Sequence, residues 1–233
     1  MRKVAVVFST LLLVCLASST ASAATIGLFE FGLNVNGTLF TLATLPAAAD
    51  ASAFDPTTGL GKLTYTKTVA NGETLSVAVF FDHEIDEATN TFFNEYGVKG
   101  SPIEGGGWSW EIDEPGYSFG DIYDHLTGFP GTPFDDTNAV PAGSEDDVSM
   151  AIGHTRTYGE AFKVTYTFEL TGQPTAAAFW LKQVDPDSPA EIYLTTSYTT
   201  QPIGGPAIPE PGTMVLLLSG LGVVAAARFR KSA

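Results

Sequence analysis

The chain has 233 residues, 26 acidic and 11 basic, for a net charge of −15. Such a surface repels phosphate backbones, which excludes nucleic acid as an expected partner; it would attract divalent cations or basic partners, although solubility outside the cell is the favoured account of the charge. With Cys15 as the one cysteine, disulfides, Cys-ligated zinc and a stapled miniature fold are excluded too, so a single domain must rest on its own core.

The first predicted element is a targeting segment. Arg2 and Lys3 form a positive start, Val4 to Leu16 an apolar stretch, and Ala21-Ser22-Ala23 a small-residue cleavage site before Ala24. This three-part order is that of a signal peptide, so residues 1–23 are expected to be a removable helix and the remainder to be exported. Cys15 lies inside the apolar stretch after Val14, not after the small residue a lipoprotein signal would want. Cleavage after Ala23 therefore leaves a mature chain without a thiol.

Residues 24–200 read as β throughout. The segments "TIGLFEFGLNVNGTLFTL" and "KLTYTKTVANGETLSVAVFF" carry strand-like runs on either side of Asn36-Gly37 and Asn71-Gly72. Asn-Gly between such runs predicts two hairpins, because both central positions of a type I′ turn need positive φ. In "KLTYTKTV", Leu63, Tyr65, Lys67 and Val69 alternate with a mostly Thr face, as on a half-solvated sheet. "LPAAADASAF" is the best helical fragment, and Pro46 and Asp50 favour a loop there. Further strands are expected in "GWSWEI", "DVSMAIG", "AFKVTYTFEL", "AAAFWLKQV" and "IYLTTSYT". Eight or nine short strands without a long 3.6-residue period predict an all-β, antiparallel sandwich of jelly-roll or Ig-like type.

Four groups within this domain invite chemistry. Asp82, Glu84 and Asp86 sit on alternate positions at a strand end, with Asn90 and Asn94 nearby, and three carboxylates on one edge suit Ca²⁺. The EF-hand pattern fails there, with Glu87 in place of the sixth-position Gly and Phe93 in place of the twelfth-position Glu. A solvated edge that discourages strand addition is the alternative, for this run and for Glu145-Asp146-Asp147. Trp108 and Trp110 beside Glu111, Asp113 and Glu114 suggest a carbohydrate contact or a glycosidase-like cleft, against a core role for one or both rings. Gly116-Tyr117-Ser118-Phe119-Gly120 matches the nucleophile-elbow pattern, with Asp121, Asp124 and His154 as paper partners, yet no βαβ rhythm surrounds it. His83, His125 and His154 lie far apart in sequence and indicate no transition-metal site, and Gly105-Gly106-Gly107 lacks the Lys-Ser/Thr of a phosphate loop.

The chain closes with a Pro/Gly linker at 201–208 and the segment "PEPGTMVLLLSGLGVVAAARFRKSA" at 209–233. Thr213 to Ala227 carries no charge. As a helix it covers about 22 Å at ~1.5 Å per residue, short of a ~30 Å hydrocarbon slab. A short transmembrane helix is expected, with the basic tip Arg228, Arg230 and Lys231 on the cytoplasmic side.

Pro209, Glu210 and Pro211, the apolar stretch and the basic tip together resemble the PEP-CTERM sorting signal of Gram-negative bacteria. The resemblance implies recognition at Pro209-Glu210-Pro211 by an exosortase, a membrane-embedded cysteine transpeptidase, with transient membrane residence. It also implies display at the cell surface and an association with exopolysaccharide, biofilm or floc formation. The same tail occurs on proteins labelled ice-binding, although "YLTTSYTT" builds no repeated T-x-T ranks. The domain is also similar to one on other PEP-CTERM proteins of uncharacterised function, in "DHEIDEATNTFFNEYG", "SWEIDEPGY" with "FGDIYD", "DDVSMAIG" and "QVDPDSPAEIYLTTS", and that similarity brings no catalytic residues. The expectation is an exported surface or matrix protein with no enzymatic activity and no required cofactor. A Ca²⁺-assisted carbohydrate-binding or adhesion module is the alternative, and a hydrolase using Ser118 a remote one.

Overall fold

A computed structural model describes residues 24–103, 105–116, 118–173 and 179–204. They form two antiparallel sheets, with strands numbered along the chain. The first sheet runs in the order β2 (Thr38–Phe40), β1 (Ile26–Val35), β5 (Thr74–Ile85), β8 (Ser149–Thr157) and β7 (Trp108–Asp113). The second runs β3 (Ala49–Phe54), β4 (Gly61–Val69), β9 (Phe162–Thr171), β11 (Glu191–Pro202), β10 (Leu181–Val184) and β6 (Tyr96–Lys99). The expected all-β sandwich is what the chain builds.

Period-two alternation sets which side chains fill the space between the sheets. Leu63, Tyr65 and Val69 of β4 meet Val77, Val79 and Phe81 of β5, with Val164, Tyr166 and Phe168 of β9 beside them. Lys67, on the same face, sits at the margin and pairs with Glu73 at 2.7 Å. β5 is buried on both faces over most of its length. Its second face, Ala78 and Phe80, lies under Ile122 and Leu126 of a short helix, α1 (Ile122–Gly128), together with Phe129 and Phe134. The first sheet thus has an outer cover, a partial third layer.

Asn36-Gly37 forms the expected hairpin turn, with φ of 51° and 82°. Asn71-Gly72 does not. Strands β4 and β5 belong to different sheets, and Gly72 alone takes positive φ, at 80°. The turn's backbone pairs instead with Tyr158, through Gly72 N–H to the Tyr158 carbonyl at 2.7 Å and Tyr158 N–H to the Glu73 carbonyl at 3.0 Å. The dipeptide reverses the chain but carries it across the sandwich. "LPAAADASAF" is also corrected. Ala49–Phe54 is an edge strand with a register shift between Asp50 and Ala53, where the Asp50 carboxylate accepts the Ser52 N–H at 2.9 Å.

Candidate functional site

The outer face of the first sheet carries an unusual rank of side chains at one end. Glu30 of β1 stands opposite Asp82 of β5, Asp82 opposite Ser149 of β8, and Ser149 opposite Asp113 of β7. Glu84 lies two residues beyond Asp82, and Asp147 two residues before Ser149, so both continue this face by alternation. Beside the rank is a cavity of ≈ 350 Å³ whose acidic lining is Asp82, Glu84, Glu87, Glu114 and Asp147, with no lysine, arginine or histidine.

Three phenylalanines stand at its rim. Phe29, Phe93 and Phe119 are 60%, 59% and 70% exposed and all line the cavity. Phe29 reaches it because β1 shifts register between Leu28 and Glu30, a bulge that releases the intervening side chain from regular alternation. Phe119 reaches it on the 114–121 loop, closed by Gly120 at φ 76°, where any Cβ would run into the Glu114 carbonyl.

The carboxylates are poorly satisfied. Asp82 is 1% exposed, and its Oδ1 has no hydrogen-bond partner. Glu84 Oε2 and Asp147 Oδ1 also lack one. Burial pushes Asp82 up to about 8, with Asp147 and Glu84 adding repulsion. For the same first reason Glu84 is raised to about 7 and Asp147 to about 6. Glu95, beneath them, is raised to about 9 by burial despite accepting a hydrogen bond from Gln183. No ion pair among the described residues reaches any of the four.

Asp86 is not part of this group, contrary to the expected Asp82–Glu84–Asp86 edge. Its φ of 54° breaks the alternation, and its two oxygens accept Thr25 N–H at 2.6 Å and Ser188 O–H at 2.6 Å. It staples the start of the domain to the 185–190 loop. Asn90 and Asn94 likewise donate to Asp185 and Asp187, at 2.6 and 3.1 Å. Asp147, from the second acidic run, takes the place expected of Asp86. Glu145 stays on the surface, accepting the Gly143 N–H at 2.8 Å.

The tryptophans and their neighbouring acids are separated by the sheet. Trp108 and Trp110 point inward from β7, while Glu111 and Asp113 point outward, so no acid–aromatic cleft forms. Trp110 is 7% exposed, with Lys99 Nζ 4.9 Å from its ring centre. It is unavailable to a sugar. Trp108 is half-buried, its ring centre 4.3 Å from that of His154, and it helps line a ≈ 430 Å³ pocket with Ile103, Arg156, Phe179 and Tyr198.

On the outer face, Glu111 Oε2 and His125 Nδ1 are 2.7 Å apart, with Asp121 3.7 Å from the same nitrogen. Burial acts to lower His125, but the hydrogen bond and charge of Glu111 outweigh it and raise the imidazole. Among the described residues, this trio is the one whose candidate ligand atoms lie within 4.8 Å of one another. Sequence spacing gave no hint of it, because a strand and a helix 14 residues apart had to meet.

Ser118 is exposed on the loop over the acidic cavity. His154, its expected partner, is 1% exposed on the inward face of β8, bonded to Tyr166 Oη at 2.7 Å. The paper triad is therefore split across the sheet. His83, between Asp82 and Glu84 in sequence, is fully buried against Phe81.

Residues 207–231 match the family model of the PEP-CTERM protein-sorting motif. No curated protein and no solved structure matches the chain. The motif Pro209-Glu210-Pro211, the basic tip and the expected short membrane helix lie outside the described residues, as do Ala21 and Ala23 of the expected signal cleavage site. Among the described residues no helix is long and apolar enough to cross a membrane. The motif marks the chain for export and for sorting by an exosortase, to the cell surface or the extracellular space.

Proposed function

We propose that this exosortase-sorted chain is a non-enzymatic component of the cell surface or extracellular matrix, linked to exopolysaccharide. Its sandwich is the cargo. Residues 1–23 direct export, the segment after Thr213 holds the chain in the membrane, and the exosortase acts at Pro209-Glu210-Pro211 to release or transfer the domain. The observation that carries this reading is the sorting motif at 207–231. The geometry of the domain supports it: the Ser118 and His154 pair is divided by a sheet, and the tryptophans and acids of β7 face opposite ways.

Replacing Pro209, Glu210 and Pro211 together by alanine in the native host tests the reading. The wild-type chain is expected in the surface or extracellular fraction, and the variant in the membrane fraction with its tail attached. Equal distribution of the two would contradict it.

A further inference from the structure

We propose that the cavity on the outer face of the first sheet is a Ca²⁺ site, with the carboxylates of Asp82, Glu84 and Asp147 as its ligands. The inference is independent of how the chain is sorted. It starts from placement: strand register sets Asp82 beside Ser149, and Glu84 and Asp147 follow on the same face one step along. It proceeds through satisfaction. Buried polar atoms in folded proteins are almost always hydrogen-bonded, yet Asp82 Oδ1, Glu84 Oε2 and Asp147 Oδ1 have no partner. Asp82, at 1% exposure, faces the cavity and is otherwise removed from solvent that could supply one.

Charge sharpens the point. Bringing several carboxylates together in a low-dielectric, phenylalanine-rimmed cavity is costly unless protons or a cation neutralise them. No ion pair among the described residues reaches Asp82, Glu84 or Asp147, so the protein brings them no cation of its own. A hard divalent ion supplies what is missing.

The donors are all oxygen, which selects a hard ion over zinc or copper. As placed, the ligand atoms of the three carboxylates stand farther apart than those of the Glu111–Asp121–His125 trio. With Ca–O distances of ~2.3–2.6 Å, the three side chains must turn inward as the ion binds, and Ca²⁺, whose irregular coordination is completed by water, accommodates this better than Mg²⁺ with its tight octahedron. The Glu111 trio carries no such inference: Glu111 and His125 satisfy each other at 2.7 Å.

The test is calorimetric titration of the purified full-length chain with CaCl2 after EDTA treatment, with MgCl2 as comparison. The expected dissociation constant is on the order of 10⁻⁴–10⁻³ M, as for extracellular modules. Asp82→Asn and Asp147→Asn should each weaken Ca²⁺ binding at least about tenfold, since affinity follows ligand charge, and Glu111→Gln should not. In EDTA, Asp82→Asn should unfold at a temperature no lower than the wild type, because it replaces a buried carboxyl group that lacks a full set of partners. The proposal is overturned by no Ca²⁺ heat at about 10 mM, well above that range. It is equally overturned by equal affinity for Mg²⁺, by Ca²⁺ binding that survives both Asn substitutions, or by an Asp82→Asn chain less stable than wild type in EDTA.

Discussion

His154 shows how one buried side chain ties the sandwich to pH. It is packed among Trp108 of β7, Tyr166 of β9 and Tyr198 of β11, with Arg156 of its own strand nearby. Burial first, and the Arg156 charge after it, lower its pKa to about 4 against the opposing hydrogen bond that its ring N–H donates to the Gly106 carbonyl. The unfolded chain takes up a proton at an ordinary histidine value, and the folded chain refuses it until about pH 4. Stability from this site is therefore complete above the unfolded value and lost as pH falls through the window between the two. His154→Gln should shrink the difference in urea midpoint between about pH 7 and about pH 4.5, measured at constant ionic strength. An unchanged difference would show that His154 is not held neutral. At this scale the sequence was legible wherever alternation ran undisturbed: the even positions 108 and 110 and the odd positions 111 and 113 of β7 had to face opposite ways. It was illegible at Asp86, where a left-handed residue ends the alternation and redirects a carboxylate that spacing places beside Glu84.

At the scale of elements, α1 is the piece that composition hid. Seven residues give too few turns for a helical period to show, and α1 is held by what it covers. Ile122 and Leu126 cap Phe80, and the buried Asn34 Nδ2 donates to the Leu126 carbonyl at 2.8 Å while its Oδ1 accepts the Gly37 N–H at 2.9 Å. One side chain thus fixes both the first hairpin turn and the end of the helix. Asn34→Ala should cost about 1–3 kcal/mol, since it removes two hydrogen bonds of a buried amide and leaves the Leu126 carbonyl only the long 3.4 Å bond from Phe129 N–H. Chemical denaturation measures this, and amide exchange should rise in α1 and in the 36–37 turn. A midpoint shift near zero would mean that water replaces the amide without loss. The Asn-Gly rule had mixed success for a physical reason. The dipeptide encodes a local reversal, but whether the two flanking strands pair is decided by distant partners, such as β9 for β4 and β8 for β5. The acidic cavity was half legible on the same ground. Asp82 and Glu84 are neighbours in sequence, but Asp147 joins them only through the β5–β8 register.

For the molecule as a whole, the division of charge and the two ends make one account. Six of the 11 basic residues lie between the terminal segments, namely Lys62, Lys67, Lys99, Arg156, Lys163 and Lys182, against nearly all the acids. An acidic, thiol-free sandwich suits an oxidising, cation-containing exterior, and the PEP-CTERM motif at 207–231 sends it there. The C-terminal end was the most legible part of the sequence, because a sorting signal is read as a linear order of motif, apolar length and charge and needs no tertiary partner. What the domain holds was the least legible, because it depends on which strands meet. The most direct measurement is the intact mass of the protein recovered from its native host, together with the fraction that contains it. The account predicts an exterior species beginning at Ala24 and ending at or close to the Pro209-Glu210-Pro211 motif. A cytosolic species running from Met1 to Ala233 would contradict it.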